Sequence, residues 1–177
     1  MATRAIPSEA YRNCVGEFAT GVTVVTAEHD GEPAAMTLNA FTSVSLDPLL
    51  VLVSLGHGSR TLYAVQSSGR FAISVLGRDQ RDVAIHFATP GAAFAHEYMQ
   101  RTYDGFLVVR GAVATHHCTV SSVTRAGDHD LVLGQVVGMT HPGGEPVIFH
   151  RGRFGGLAAD AEVPPGHPIA LTEGAGW

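Results

Sequence analysis

Ser59-Arg60-Thr61 is the triplet in this chain best suited to hold an anion. A helix starting there presents unbonded backbone N–H groups and a partial positive charge. The hydroxyls of Ser59 and Thr61 add donors, and Arg60 adds a fixed cation. Gly56 and Gly58, just upstream, let backbone approach a ligand closely. An ordinary capped helix with a solvated arginine has the same pattern. Thr37, Asn39, Ser43 and Ser45 come earlier. On an extended path 37 and 39 share a face, and so do 43 and 45. Their amide and hydroxyl groups can read the edge of a heterocycle, or form the polar outer face of a strand.

Two further groups carry chemistry. His129 sits in Gly127-Asp128-His129-Asp130, a turn whose tip can hold an imidazole over a pocket or simply face water. His150-Arg151-Gly152-Arg153 places Arg151 and Arg153 on one face around a glycine, which suits a nucleotide phosphate or a solvated turn. Metal chemistry is not expected. His116 and His117 are adjacent, so a strand points them to opposite faces, and no HExxH spacing occurs. The chain has no GxSxG elbow, P-loop or GxGxxG, which disfavours a hydrolase or a P-loop enzyme.

The bulk numbers bound the setting. The chain has 177 residues, 45% hydrophobic and 15% charged, the composition of one globular domain. Net charge is −5, with 16 acidic residues against 11 arginines and no lysine. No basic run is present, so nucleic acid is not expected as a partner. Cys14 and Cys118 lie far apart, consistent with reduced thiols. No apolar run is long enough for a membrane span and no signal core opens the chain, so the expected location is the cytoplasm.

The elements that must position these residues are mostly strands. Residues 1–7 read as a lead-in, and Ser8 as the cap of a helix to about residue 18, with Ala10, Cys14 and Phe18 as its apolar stripe. Strands are expected over 22–27 and 34–40, joined by an Asp30-Gly31 turn. Residues 41–47 read as a connection, and 49–55 as a central strand hydrophobic on both faces. Ser59 caps a helix to about residue 67, and Asp79 caps another to about residue 87, where Val83 and Phe87 share a face. A strand at 71–76 separates them. Residues 92–103 read as a short helix and lid-like loop. Strands at 106–114, 117–123 and 130–140 follow, the last carrying two glycines and a possible bulge. A short pair at 147–150 and 153–157 closes the domain, expected to span 8–158. Residues 159–177 read as a tail or an arm. The sum is mainly β with a few short helices, a closed or partly closed barrel.

Five segments together resemble one family. They are 18–26 (FATGVTVVT), 36–48 (MTLNAFTSVSLDP), 68–76 (SGRFAISVL) with Gln80 and Phe87, 127–130 (GDHD) and 150–155 (HRGRFG). In this order they are similar to the short-chain flavin reductases of two-component flavin-dependent monooxygenases. The resemblance implies an FMN-binding split β-barrel of Greek-key type, homodimeric, that uses NADH or NADPH to reduce FMN or FAD for a separate oxygenase. By position it implies that Thr37, Leu38, Asn39 and Ala40 line the isoalloxazine and ribityl, with Ser43 and Val44 close to the ring. Ser54, Ser59, Arg60 and Thr61 would hold the phosphate, and Phe87 would pack near the ribityl or the second nucleotide. His129 would meet the nicotinamide as the residue nearest the chemistry, and Arg151 and Arg153 would help bind the pyridine nucleotide. Two positions depart from the pattern: Pro48-Leu49 replaces a frequent proline pair, and Gly56-His57-Gly58 stands where relatives can carry a lysine or a further hydroxyl. A flavin-binding module without reductase activity is the alternative on the same barrel, and a phosphate-ester oxidase is a third.

Overall fold

The computed structural model describes residues 5–158. The proposed tail at 159–177 and most of the lead-in lie outside them. A seven-stranded antiparallel sheet forms the body. Its strands in chain order are β2 (Thr23–His29), β3 (Glu32–Leu38), β4 (Phe41–Leu46), β5 (Leu49–Gly56), β6 (Arg70–Val75), β9 (Ala114–Ala126) and β10 (His129–Thr140). Two short strands, β7 (Met99–Arg101) and β8 (Leu107–Val109), pair separately. So do β1 (Thr20–Gly21), β11 (Ile148–His150) and β12 (Arg153–Gly155). Three short helices complete the described residues: α1 (Ser8–Val15), α2 (Arg60–Ser68) and α3 (Arg81–Ala88).

The spatial order of the large sheet is β3-β2-β6-β9-β10-β5-β4. β3 and β4 are thus its two edges, yet only Asn39 and Ala40 join them. A flat seven-stranded sheet would separate its edges by roughly 29 Å, whereas a two-residue link spans about 11 Å at most. The sheet therefore curls until its edges meet at Asn39-Ala40, and it stays open there because β3 and β4 do not pair. The curl encloses one core. Val25, Ala34, Val53, Leu55, Leu62, Val65, Phe71, Ile73, Cys118 and Val132 pack there, with Met36, Leu38 and Phe41 from the two edges against them. A second core lies outside the curl, where Val24, Leu76, Val83, Phe87, Met99, Val109 and Val147 meet. β2 is sandwiched between the two, so Thr23 to Ala27 are all buried. The continuous Val/Thr run of that strand reflects burial on both faces.

Several expected elements differ. Residues 41–47 contain a strand, β4, rather than a connection. It is an exposed edge bonded only to β5, and its small polar residues hid it. β5 is consequently the second strand from the edge, and its burial alternates. Ser8 is the first helical residue, with Pro7 in the cap position and no side-chain cap, and α1 buries no residue. Asp79 does not cap α3, whose cap position is Gln80. Residues 92–103 hold a short 3₁₀ turn at His96–Tyr98 and then β7. The predicted bulge is present: the β9–β10 register shifts at Leu133/Gly134 and again at Val136/Gly138.

Candidate functional site

Ser59 caps α2 as its residue type requires. Its Oγ accepts the N–H of Leu62 at 3.1 Å, and its φ/ψ are extended. The first helical bond to backbone runs from the Tyr63 N–H to the Ser59 carbonyl. The N–H groups of Arg60 and Thr61 have no acceptor among the described residues. They open onto a cleft of about 490 Å³ lined by Thr37, Ser59, Arg60, Thr61, Phe87 and the loop Thr89-Pro90-Gly91-Ala92. Both lips turn on glycines of positive φ, Gly58 and Gly91, each at 76°. Arg60 reaches across and donates to the Ala92 carbonyl at 3.2 Å. Two free N–H groups, a helix N-terminus and a guanidinium are a donor set that fits a phosphate. The Thr37 hydroxyl donates to the Ala84 carbonyl at 2.7 Å, so it fastens β3 to α3 and retains only acceptor capacity toward a ligand.

The wall continues past Thr37. Asn39, two residues on, lines a second cleft of about 660 Å³ with Arg12, Glu17, Phe18, Phe149 and Arg151. Arg151 has a left-handed φ of 49° and precedes Gly152 in the β11–β12 turn. Its Nε donates to Glu17 Oε1 at 2.7 Å, and its terminal nitrogen donates to the same oxygen. This guanidinium holds the Glu17 carboxyl below the usual carboxylate range. The Arg151 N–H also donates to the Gly16 carbonyl at 3.1 Å. Arg153 lies on an adjoining cleft with His150, Phe154 and Arg151.

A family match and solved neighbours bear on this surface. Residues 15–158 match the flavin reductase like domain. The chain belongs to the flavin reductase-like family. It is 40% identical over 148 residues to an NADH-dependent FMN reductase, SmoA, of Agrobacterium fabrum, covering 84% of this chain and 85% of that protein. It is 41% identical over 150 residues to an NADH-dependent flavin reductase of a Rhodococcus species, covering 82% and 84%. The flavin reductase PheA2 superposes with a TM-score of 0.80 at 36% identity, over 86% of this chain and 99% of that one. A Streptomyces globisporus NADH:FAD oxidoreductase, SgcE6, solved with NAD and FAD fragments, superposes at 0.82 with 36% identity, over 90% and 100%.

Within this flavin reductase-like chain the expected residues fall into separate places. Thr37, Ser59, Arg60, Thr61 and Phe87 share the first cleft. Asn39 and Arg151 share the second. Leu38 ends β3, packed toward the inner core, and Ala40 takes the N–H of Ser54 on its carbonyl at 3.2 Å. Ser43 and Val44 stand exposed on the edge strand β4. His129 lines neither cleft. It opens β10 opposite Gly56, and its Nδ1 meets Asp128 Oδ1 at 2.7 Å. That bond holds the Asp128 carboxyl below its ordinary range.

The Gly56-His57-Gly58 turn is tied to the same hairpin. His57 donates its backbone N–H to the Asp128 carbonyl at 3.0 Å, and its Nε2 meets Asp130 Oδ1 at 2.8 Å. Gln66 of α2 donates to the other Asp130 oxygen at 3.0 Å. Sequence reasoning missed Glu17, the Thr89–Ala92 lip and this His57–Asp130–Gln66 link. A Pro-Gly pair such as Pro90-Gly91 ends a helix by local chemistry, but only the fold brings it to the same cleft as Ser59. Among the described residues no group of His, Cys, Asp and Glu has the arrangement of a metal site.

Proposed function

We propose that this chain is an NADH-dependent flavin reductase that binds FMN or FAD and supplies reduced flavin to a separate monooxygenase component. The observation that carries the reading is a pair of clefts two residues apart on the chain. Thr37 lines the one at the start of α2, and Asn39 lines the one with Arg151. The phosphate sits on the Ser59-Arg60-Thr61 helix start, with Ser54 behind it. The ring and ribityl lie along Thr37, Leu38, Asn39 and Ala40, beside Ser43 and Val44, and Phe87 packs near the ribityl. Arg151 and Arg153 take the pyridine nucleotide. When bound together, flavin and nicotinamide supply the hydride-transfer chemistry themselves. The protein positions and shields them. His129, held at Nδ1 by Asp128, meets the nicotinamide side in this reading from outside the two clefts of the single chain. Relatives described as reductase components of two-component monooxygenases support this reading, among them the 4-nitrophenol monooxygenase reductase component of Rhodococcus opacus, 40% identical over 146 residues.

The curled sheet is the FMN-binding split β-barrel in this reading, and the working unit is a homodimer in the cytoplasm. Support for the dimer comes from Val44, Leu46, Leu49, Val137 and Met139, exposed at 46–68% on the neighbouring strands β4, β5 and β10. Such an apolar surface calls for a cover, and a second copy buries it against itself. No helix among the described residues is long and apolar enough to cross a membrane.

The test is an assay of purified protein with NADH or NADPH and added FMN or FAD, followed by loss of nicotinamide absorbance. Turnover that depends on added flavin is expected, faster with NADH. A protein that retains flavin yet oxidises neither nicotinamide would overturn the proposal.

A further inference from the structure

We infer that Glu17, through its pairing with Arg151, is the residue that makes the nucleotide cleft favour NADH over NADPH. The inference rests on the reading that the Arg151 cleft receives the pyridine nucleotide. Arg151 lines this cleft, and its Nε and one terminal nitrogen are already engaged by a carboxylate. Both bonds go to Glu17 Oε1. Glu17 Oε2 lies 3.7 Å from His150 Nε2 and keeps acceptor capacity toward the cleft. The side chains are 53% and 63% exposed, so a ligand reaches both partners.

The pair is built in rather than incidental. Glu17 sits in the turn that ends α1, its N–H donating to the Cys14 carbonyl at 3.2 Å. The neighbouring Gly16 carbonyl accepts the Arg151 N–H. Backbone contacts thus hold the α1 end and the β11–β12 turn together, and the side chains meet across that junction. The hydrogen bond from Arg151 lowers the pH range in which Glu17 takes up a proton, so the carboxylate is charged at neutral pH.

The consequence for a nucleotide follows from charge. A ribose with free hydroxyls donates to Glu17 Oε2 while the Arg151 pair stays intact. Acidic side chains read ribose hydroxyls in this way in dinucleotide-binding folds, where arginines accommodate a 2′-phosphate. A 2′-phosphate must instead use the donors Arg151 has left, with the Glu17 carboxylate as a like charge beside a near-dianion. Arg12 lines the same cleft and is unchanged in every variant compared below, so it does not enter the difference between them.

The experiment compares kcat/KM for NADH and NADPH in the wild type, Glu17→Gln, Glu17→Asp and Arg151→Ala. In E17Q the NADPH value is expected to rise roughly tenfold while the NADH value falls a few-fold. E17D, which keeps the charge, retains the NADH preference. Adenosine 2′,5′-bisphosphate, used as a competitive inhibitor against NADH, gains potency over 5′-AMP in E17Q, a readout independent of NADPH oxidation. An unchanged NADPH/NADH ratio and unchanged bisphosphate potency in E17Q overturn the inference, and with R151A raising KM for both nucleotides they leave the cleft assignment standing. An R151A variant with both KM values unchanged removes the cleft assignment and the inference together.

Discussion

At the scale of the residue, Arg60 and His129 carry separate parts of the proposal. Arg60 contributes a cation beside the free N–H groups and a bond that draws the Ala92 lip over the cleft. Arg60→Ala is expected to weaken flavin binding by roughly tenfold, measured by fluorescence titration. Equal affinity would remove the phosphate assignment. His129→Ala is expected to raise KM for NADH more than it weakens flavin binding, because its imidazole lies outside the cleft assigned to the flavin phosphate. Steady-state kinetics with each substrate varied in turn separates the two. Asp104 is a third case, away from the clefts. It accepts from Thr102 at 2.6 Å and from the buried His117 at 2.7 Å, and these bonds hold its carboxyl below the ordinary range, Thr102 contributing most. A depressed folded-state pKa stabilises the fold above the ordinary carboxylate range, and the gain is lost as pH falls through the folded value. Asp104→Asn should therefore flatten the acid side of the stability profile, below the ordinary aspartate range, in urea titrations.

At the scale of the element, β10 shows how glycine placement shapes a strand. A Cβ at Gly134 would overlap the ring of Phe71, which is buried in the inner core. The same position carries a register shift against β9. Gly134→Ala is expected to cost about 1–3 kcal/mol, measured by chemical denaturation, because a packed core resists an added methyl. Phe71→Leu in the same chain should recover part of that loss, since it vacates the overlapped space. The bulge was legible from two glycines in a β-branched run. That Gly134 specifically faces Phe71 was not, because the contact joins β10 to β6 across β9. β4 was misjudged for a related reason. Its Thr, Ser and Val residues carry no inward periodicity, since only one side of an edge strand is bonded and little of it is buried.

At the scale of the whole molecule, the order of the large sheet decides the site. β3 and β4 are its edges, and the Asn39-Ala40 link forces them together. That closure is what places Thr37 against α3 and opposite the Ser59 helix start. It also leaves exposed apolar residues on the neighbouring strands β4, β5 and β10. Replacing Leu46 and Met139 together by glutamate is expected to give a monomer by sedimentation velocity, with helix and strand content unchanged by circular dichroism. A wild-type protein that is monomeric across the measurable concentration range would refute the dimer. Cys118, on β9 and buried in the enclosed core, has its thiol pushed up to about 12 by burial and stays an unreactive core residue.

The amino-acid order alone determined the local pieces. The Ser59 cap and the Asp30-Gly31 and Gly127-Asp128 turns follow from interactions within a few residues. The five segments shared with flavin reductases were legible in the same way, since motif residues keep their spacing. Only the tertiary structure decided which pieces meet. It brought Glu17 to Arg151, the Thr89–Ala92 lip to Ser59, and Asp130 to His57, each across a separation in sequence over which local chemistry carries no signal. It also left His129 outside both clefts of the single chain. The physical reason is the curl of the sheet: strand pairing fixes neighbours in space that neither propensity nor periodicity can register.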